Sequence, residues 1–330
     1  MSKYGIPYKG NKSKIAEEIL EQLPSGKRLV DLFGGGFAIT DCALRKYPYK
    51  WEKFYYNDIN PLLPALIKKA INGDFNEKNF HPTWISRDDF EKNKDKDGYI
   101  AYIWSFGNNG CDYLYGSDIE EDKRKVFEYV VNGIRSDVTE GIELINTTVQ
   151  SRRKEWTSKA KKNGEIIARL QNLELLQSLC QLDSLSRLES LSRLENCCND
   201  YRDYVYQDGD IVYCDIPYNE VGKTTYFGGG FNHDEFYEWA SSQPTTIYYS
   251  NYTQGKVIWQ KEVRSTYNRG GNGAVYRMET LFAIGKHEPD DSFKDYSTNQ
   301  VTFDDLLDEM KGNENELSES DYGNAEHNDG

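Results

Sequence analysis

The stretch IVYCDIPYNE, residues 211–220, runs an apolar strand straight into an acid, a proline and an aromatic. Burying Asp215 at the end of such a strand is costly unless something hydrogen-bonds to it, so its carboxylate is expected to face a site. In a turn after a strand, Asp215 can accept one hydrogen from an amino group and the Ile216 carbonyl can accept the second. Pro217 fixes the backbone so that both acceptors point the same way. Tyr218 then offers a ring face on which a planar base can stack. Two acceptors and a stacking ring describe a site for the exocyclic amine of a base. The plainer alternative is a strand that happens to end in an acid and a turn proline.

A second group lies earlier, where the strand RLVDLF meets Gly34, Gly35 and Gly36, and the strand FYYND ends at Asp58. An acid in that place can accept both ribose hydroxyls of an adenosine cofactor. Taken singly, the glycines suit an ordinary tight turn and Asp58 equally suits a helix cap.

The elements that must hold these residues follow from the pattern. Ile15, Ile19, Leu20 and Leu23 keep helical spacing from Asn11 until Pro24, Ser25 and Gly26 stop the helix. FAITDCALRKY resumes a helical pattern after the glycines, and Pro61 opens another helix with its fixed φ. Strand, glycine loop, helix, strand and acid make an α/β nucleotide-binding start. From about Phe75 to Asn196 the sequence reads as helical or irregular. Strands return in IVYCD, TTIYYS and ETLFAIG, so a module is inserted into the α/β unit.

Within that module, SRRKEWTSKAKKNG carries six bases against one acid. Leucine also recurs at every third position from Leu170 to Leu194. On an α-helix that stripe drifts around the axis, so it is no heptad. A connector that buries some leucines and a surface for a protein partner are the two readings.

The six cysteines show no paired CxxC units and no histidine cluster, which argues against zinc and for free thiols. With no charged-then-apolar leader and no apolar run long enough to span a bilayer, a cytosolic location is expected. The formal charge of −14 belongs mainly to the tail: Glu288–Gly330 hold 14 acids and 2 lysines, which leaves 40 acids and 38 bases in the first 287 residues. A nearly neutral body can carry local basic patches. The tail, residues 288–330, is expected to be disordered, because low hydrophobicity with high charge offers little to offset ordering entropy.

In order along the chain, PYKGNKSKI, DLFGGGF, YYNDIN, DIPY, TTYFGGGF and IYYSNYT resemble the motifs of the Dam-like N6-adenine DNA methyltransferases of bacteria and phages. Ile216 stands where that family has proline, and only its backbone carbonyl is needed there. The resemblance implies an α/β, Rossmann-like S-adenosylmethionine-dependent methyltransferase sheet. Residues 1–75 and 197–287 would form it, and residues 76–196 would be an inserted, mainly helical target-recognition module. It implies S-adenosylmethionine against Tyr8, Lys12, Phe33 and Gly34 to Gly36, with Asp58 on the ribose. The target adenine would be flipped from duplex DNA and worked on by Asp215, Ile216, Pro217 and Tyr218, with no metal. Lys12 matches the family's base-contacting lysine, and Tyr226, Phe227 and Phe231 would wall the pocket, Phe231 suiting a core role equally. Asn109 in the loop 105–116, with Arg152 and Arg153 in the basic run, are the candidates for DNA contacts. An RNA adenine methyltransferase and a DNA-binding protein that has lost its chemistry are the rival readings.

Overall fold

The computed structural model describes residues 3–162, 169–218, 230–251, 255–264 and 276–285. Seven strands among them, β1 (Gly26–Asp31), β2 (Trp51–Asn57), β3 (Leu194–Cys197), β4 (Asp210–Cys214), β5 (Ile247–Asn251), β6 (Lys256–Arg264) and β7 (Tyr276–Ile284), form one sheet. Their order is β3-β2-β1-β4-β5-β7-β6. The first five run parallel, and β7 lies antiparallel between β5 and β6. From β1 the chain steps outward one way through β2 and β3, then returns to β4 and steps the other way. The strand order therefore reverses between β1 and β4, and a crevice opens beyond their carboxyl ends.

Alternation along the central strands divides the core in two, because successive side chains point to opposite faces. Leu29 and Tyr213 pack with α1 (Ala16–Gln22), α2 (Ala38–Lys46) and α3 (Leu62–Ile71). Val30, Val212 and Cys214 pack on the other face with Phe236 and Ala240, which lie on a later helix, residues 233–242. At the end remote from the crevice, buried Arg28 forks onto Asp210, with Nε and Nη2 donating to the two carboxylate oxygens at 2.9 and 2.8 Å. The pair joins the residues that face each other across β1 and β4, so it pins their register.

The helical module between α3 and β3 carries α4 (Arg87–Asn93), α5 (Gly98–Ile103), α6 (Glu120–Asn132), α7 (Val149–Lys162) and α8 (Gln171–Leu182), and the helix over His233–Ser242 is α9. Trp104, Phe127 and Tyr115 of the module share one hydrophobic cluster with α1, α2 and α3. Its core is thus continuous with one face of the sheet.

The leucine repeat resolves into two geometries. Leu173, Leu176, Leu179 and Leu182 are buried along α8. The chain then makes 3-10 turns over Asp183–Arg187 and Glu189–Arg193, with Leu188 and Leu194 extended at their ends. Three residues per turn is the 3-10 period, so a three-residue spacing keeps leucines on one side there. Leu185 is fully buried, and Leu188, Leu191 and Leu194 pack on the same cluster. The segment leads from these helices back to the sheet, which resumes at Leu194, paired with Phe54.

One helix start also differs. The helical pattern begins at Asn11, yet α1 begins at Ala16. Asn11 and Ser13 have other partners: Asn11 Oδ1 accepts from the Ser13 amide, and Ser13 Oγ accepts from the amides of Lys3 and Tyr4. Lys12 is left pointing at the crevice.

Candidate active site

The crevice at the switch point is a cavity of about 260 Å³, whose lining includes Tyr8, the loop 31–36, Asp58, Asn199–Arg202, residues 215–218 and Phe231. The glycines are there because nothing larger fits. A Cβ on Gly34 would lie 2.1 Å from the Tyr56 ring, and one on Gly36 would lie 2.6 Å from the Ile6 carbonyl. Gly35 has φ +46° and donates its amide to Asp58 Oδ2 at 2.8 Å. Asp58 Oδ1 accepts from the Asn60 amide at 2.9 Å. Asp58 thus staples the glycine loop, and a carboxylate with two such bonds keeps lone pairs for further donors. Burial pushes its carboxyl up to about 6, against the opposing amides of Asn60 and Gly35.

Asp31 ends β1 behind the loop. Its Oδ2 accepts from Thr40 at 2.8 Å, while Oδ1 is buried with no partner among the described residues. Burial first, then the charges of Asp215 and Asp58, push Asp31 up to about 7 despite the Thr40 bond. An orphaned acceptor of this kind in a cavity wall marks a place for a cationic donor. Asn57 ties the two sides of the crevice together, donating to the carbonyls of Leu32 and Asn199 and accepting from the Asn199 amide.

Opposite the loop, Asp215 follows β4. Lys12 Nζ lies 2.8 Å from Asp215 Oδ1 and 4.7 Å from the centre of the Tyr218 ring. Among the described residues none donates to Asp215 Oδ2 or to the Ile216 carbonyl, whereas the Pro217 carbonyl accepts from His233 Nε2 at 2.7 Å. A carbonyl can only accept, so His233 carries its proton on Nε2 there. Burial pushes Asp215 up to about 6, with Lys12 opposing and Glu279 adding to the rise. Burial acts to lower the Lys12 ammonium, but the carboxylates of Asp215 and Glu279 outweigh it and hold it above its ordinary value. Tyr218 donates its hydroxyl to Glu279 Oε2 at 2.8 Å.

The crevice therefore collects Tyr8, Lys12, Phe33, Gly34, Gly35, Gly36, Asp58, Asp215, Ile216, Pro217, Tyr218 and Phe231. Phe231 also packs edge-on to Phe33 at 5.7 Å. Tyr226, Phe227 and the tail 288–330 lie outside the described residues. Asn109 lies in the insertion, its side chain holding the amides of Cys111 and Asp112.

Arg152 and Arg153, expected as DNA contacts, have internal partners instead. Arg153 is 6% exposed and reaches Glu174 at 3.2 Å, and Arg152 donates to the Tyr129 carbonyl. Both lie on the side of α7 that packs within the module, which the charge run alone does not reveal.

Sequence reading passed over Glu279, His233 and Asn57. Glu279 had a signal: an acid at the mouth of the apolar strand ETLFAIG is the feature that drew attention to Asp215, mirrored because β7 runs the other way.

The model of one protein family, described as D12 class N6 adenine-specific DNA methyltransferase, matches residues 8–248. No curated protein matches the chain.

Proposed function

The chain belongs to the D12 class N6 adenine-specific DNA methyltransferase family, and from that premise we propose how its residues divide the work of methylating adenine in DNA. S-adenosylmethionine, the methyl donor that this chemistry implies, supplies a methyl group on a positively charged sulfonium when bound. The residues present fit it. Gly34 and Gly36 leave a cradle that any Cβ would fill, Asp31 Oδ1 is an acceptor with no partner among the described residues and suits the ammonium group, and Asp58 keeps lone pairs for the ribose hydroxyls.

For the target base, Asp215 Oδ2 and the Ile216 carbonyl accept the two N6 hydrogens. These bonds localise the nitrogen lone pair and orient it, and Asp215 takes up the proton that N6 releases on methylation. Tyr218 stacks on the flipped base, which returns roughly 1–3 kcal/mol against the cost of unstacking. By occupying the Pro217 carbonyl, His233 fixes the turn and leaves the neighbouring Ile216 carbonyl as the acceptor. Lys12 must yield, because its ammonium now holds both Asp215 Oδ1 and the Tyr218 face. The loop 105–116 with Asn109 and the exposed Lys154 and Lys161 of α7 are the DNA-contacting surface, without Arg152 and Arg153.

One observation carries this reading: two acceptors to which no described residue donates and an aromatic face share a cavity with the glycine cradle. The test is transfer of a labelled methyl group to unmethylated duplex DNA by Asp215→Ala. We expect transfer to vanish while cofactor binding is retained. Equal losses of both would place Asp215 on the cofactor instead.

A further inference from the structure

Glu279 lies beyond the residues that the family model matches, yet it touches Tyr218 at the edge of the site. It can do so because β7 is antiparallel: Thr280 pairs with Asn251, the last residue of β5, so Glu279 enters at the carboxyl edge of the parallel strands. Its side chain is 18% exposed, and Oε2 both accepts the Tyr218 hydroxyl at 2.8 Å and stands 3.8 Å from Lys12 Nζ.

We infer that Glu279 is a positioning residue for methyl transfer, which fixes the Tyr218 ring by its hydroxyl and receives the Lys12 ammonium when the target base displaces it from the Tyr218 face. This rests on the assignment of Asp215 and Tyr218 to the target base. Two physical requirements lead to it. A ring that serves as a stacking platform must hold its plane, and a bond at the far end of the side chain resists rotation that the near end permits. A buried ammonium displaced from its partner is also strongly destabilising unless a second anion takes it up. Glu279 is that anion, since a movement of about 1 Å brings Lys12 within hydrogen-bond distance. Without it, Lys12 stays over the Tyr218 ring and competes with the base for that face.

Among the described residues, the titratable groups that interact with Asp215 are Lys12 from the N-terminal segment, Asp31 from β1, Tyr213 and Cys214 of its own strand, and Glu279 from β7. Glu279 is a like charge, so removing it lets Asp215 ionise at lower pH.

The experiment uses the full chain, labelled S-adenosylmethionine and unmethylated duplex genomic DNA, with Glu279→Ala, Glu279→Gln, Tyr218→Phe and Asp215→Ala. Glu279→Ala should lower kcat/KM by about tenfold or more, as the loss of a hydrogen bond to a charged group implies, with cofactor affinity unchanged. Glu279→Gln keeps an acceptor for Tyr218 but no charge. It should recover most of kcat, keep a raised KM for DNA, and move the acid limb of kcat/KM to lower pH. Tyr218→Phe should reproduce the kcat loss without moving that limb. Full activity of Glu279→Ala beside an inactive Asp215→Ala would overturn the inference alone, and an active Asp215→Ala would overturn the assignment beneath it. Should Glu279→Ala fail to fold, the isosteric Gln variant decides: an unmoved limb with an unchanged KM overturns the inference.

Discussion

To take up the proton that N6 releases, Asp215 must be ionised, and at about 6 in the absence of substrate it stands close to that limit. We expect kcat/KM to fall as pH drops below about 6, because the protonated carboxyl no longer draws on N6. Lys12 opposes the rise, so Lys12→Met should shift this limb to higher pH; a pH–rate profile of each protein reads it directly. Asp58 has a double duty. Asp58→Ala should weaken cofactor affinity by about 1.5–3 kcal/mol through lost charge-assisted bonds, and Asp58→Asn, which retains one acceptor for the Gly35 amide, should lose less; titration calorimetry measures both. The positions of Asp58 and Asp215 at the crevice could be read from sequence because each follows an apolar strand and precedes a turn. His233 was not, since its bond to the Pro217 carbonyl depends on where α9 lands, which no local pattern states.

At the scale of elements, the crevice depends on β1 and β4 ending level. Arg28 and Asp210 enforce this from the far end of the strands. Removing one partner strands a buried charge, so Asp210→Ala should cost about 3–5 kcal/mol. Denaturant unfolding should show the loss as a lower midpoint at unchanged slope. The strands could be read from apolar runs, and the glycine loop from its place between strand and helix. The start of α1 could not, because Asn11 and Ser13 have side-chain partners that a hydrophobic count ignores. The conformation of the leucine repeat was hidden for another reason. A three-residue period contradicts a long α-helix but fits short 3-10 turns, and only packing against α2, α3 and β2 selects them.

Across the whole molecule, Asp31, Asp58 and Asp215 crowd one cavity with carboxyls pushed up to about 7, 6 and 6. At these three sites the folded protein binds more protons than the unfolded chain between about pH 4 and 7, so by linkage the stability they contribute should fall as pH rises through that window. Thermal melts of the cofactor-free protein across that range test this, and Asp31→Asn should flatten the trend. The three acids lie on separate strands or turns, so their crowding was invisible in sequence. The antiparallel entry of β7 has a consequence in time. Lys12, Asp215 and Glu279 come from opposite reaches of the chain, and at roughly 5–20 residues per second of synthesis the last arrives between about ten seconds and a minute after the first. A nascent chain halted on the ribosome before β7 should already hold the glycine cradle and Asp215 but lack the completed site. Methylation by ribosome-bound chains stalled before and after β7 would show the step, and in the cell it would keep an unfinished enzyme from marking DNA.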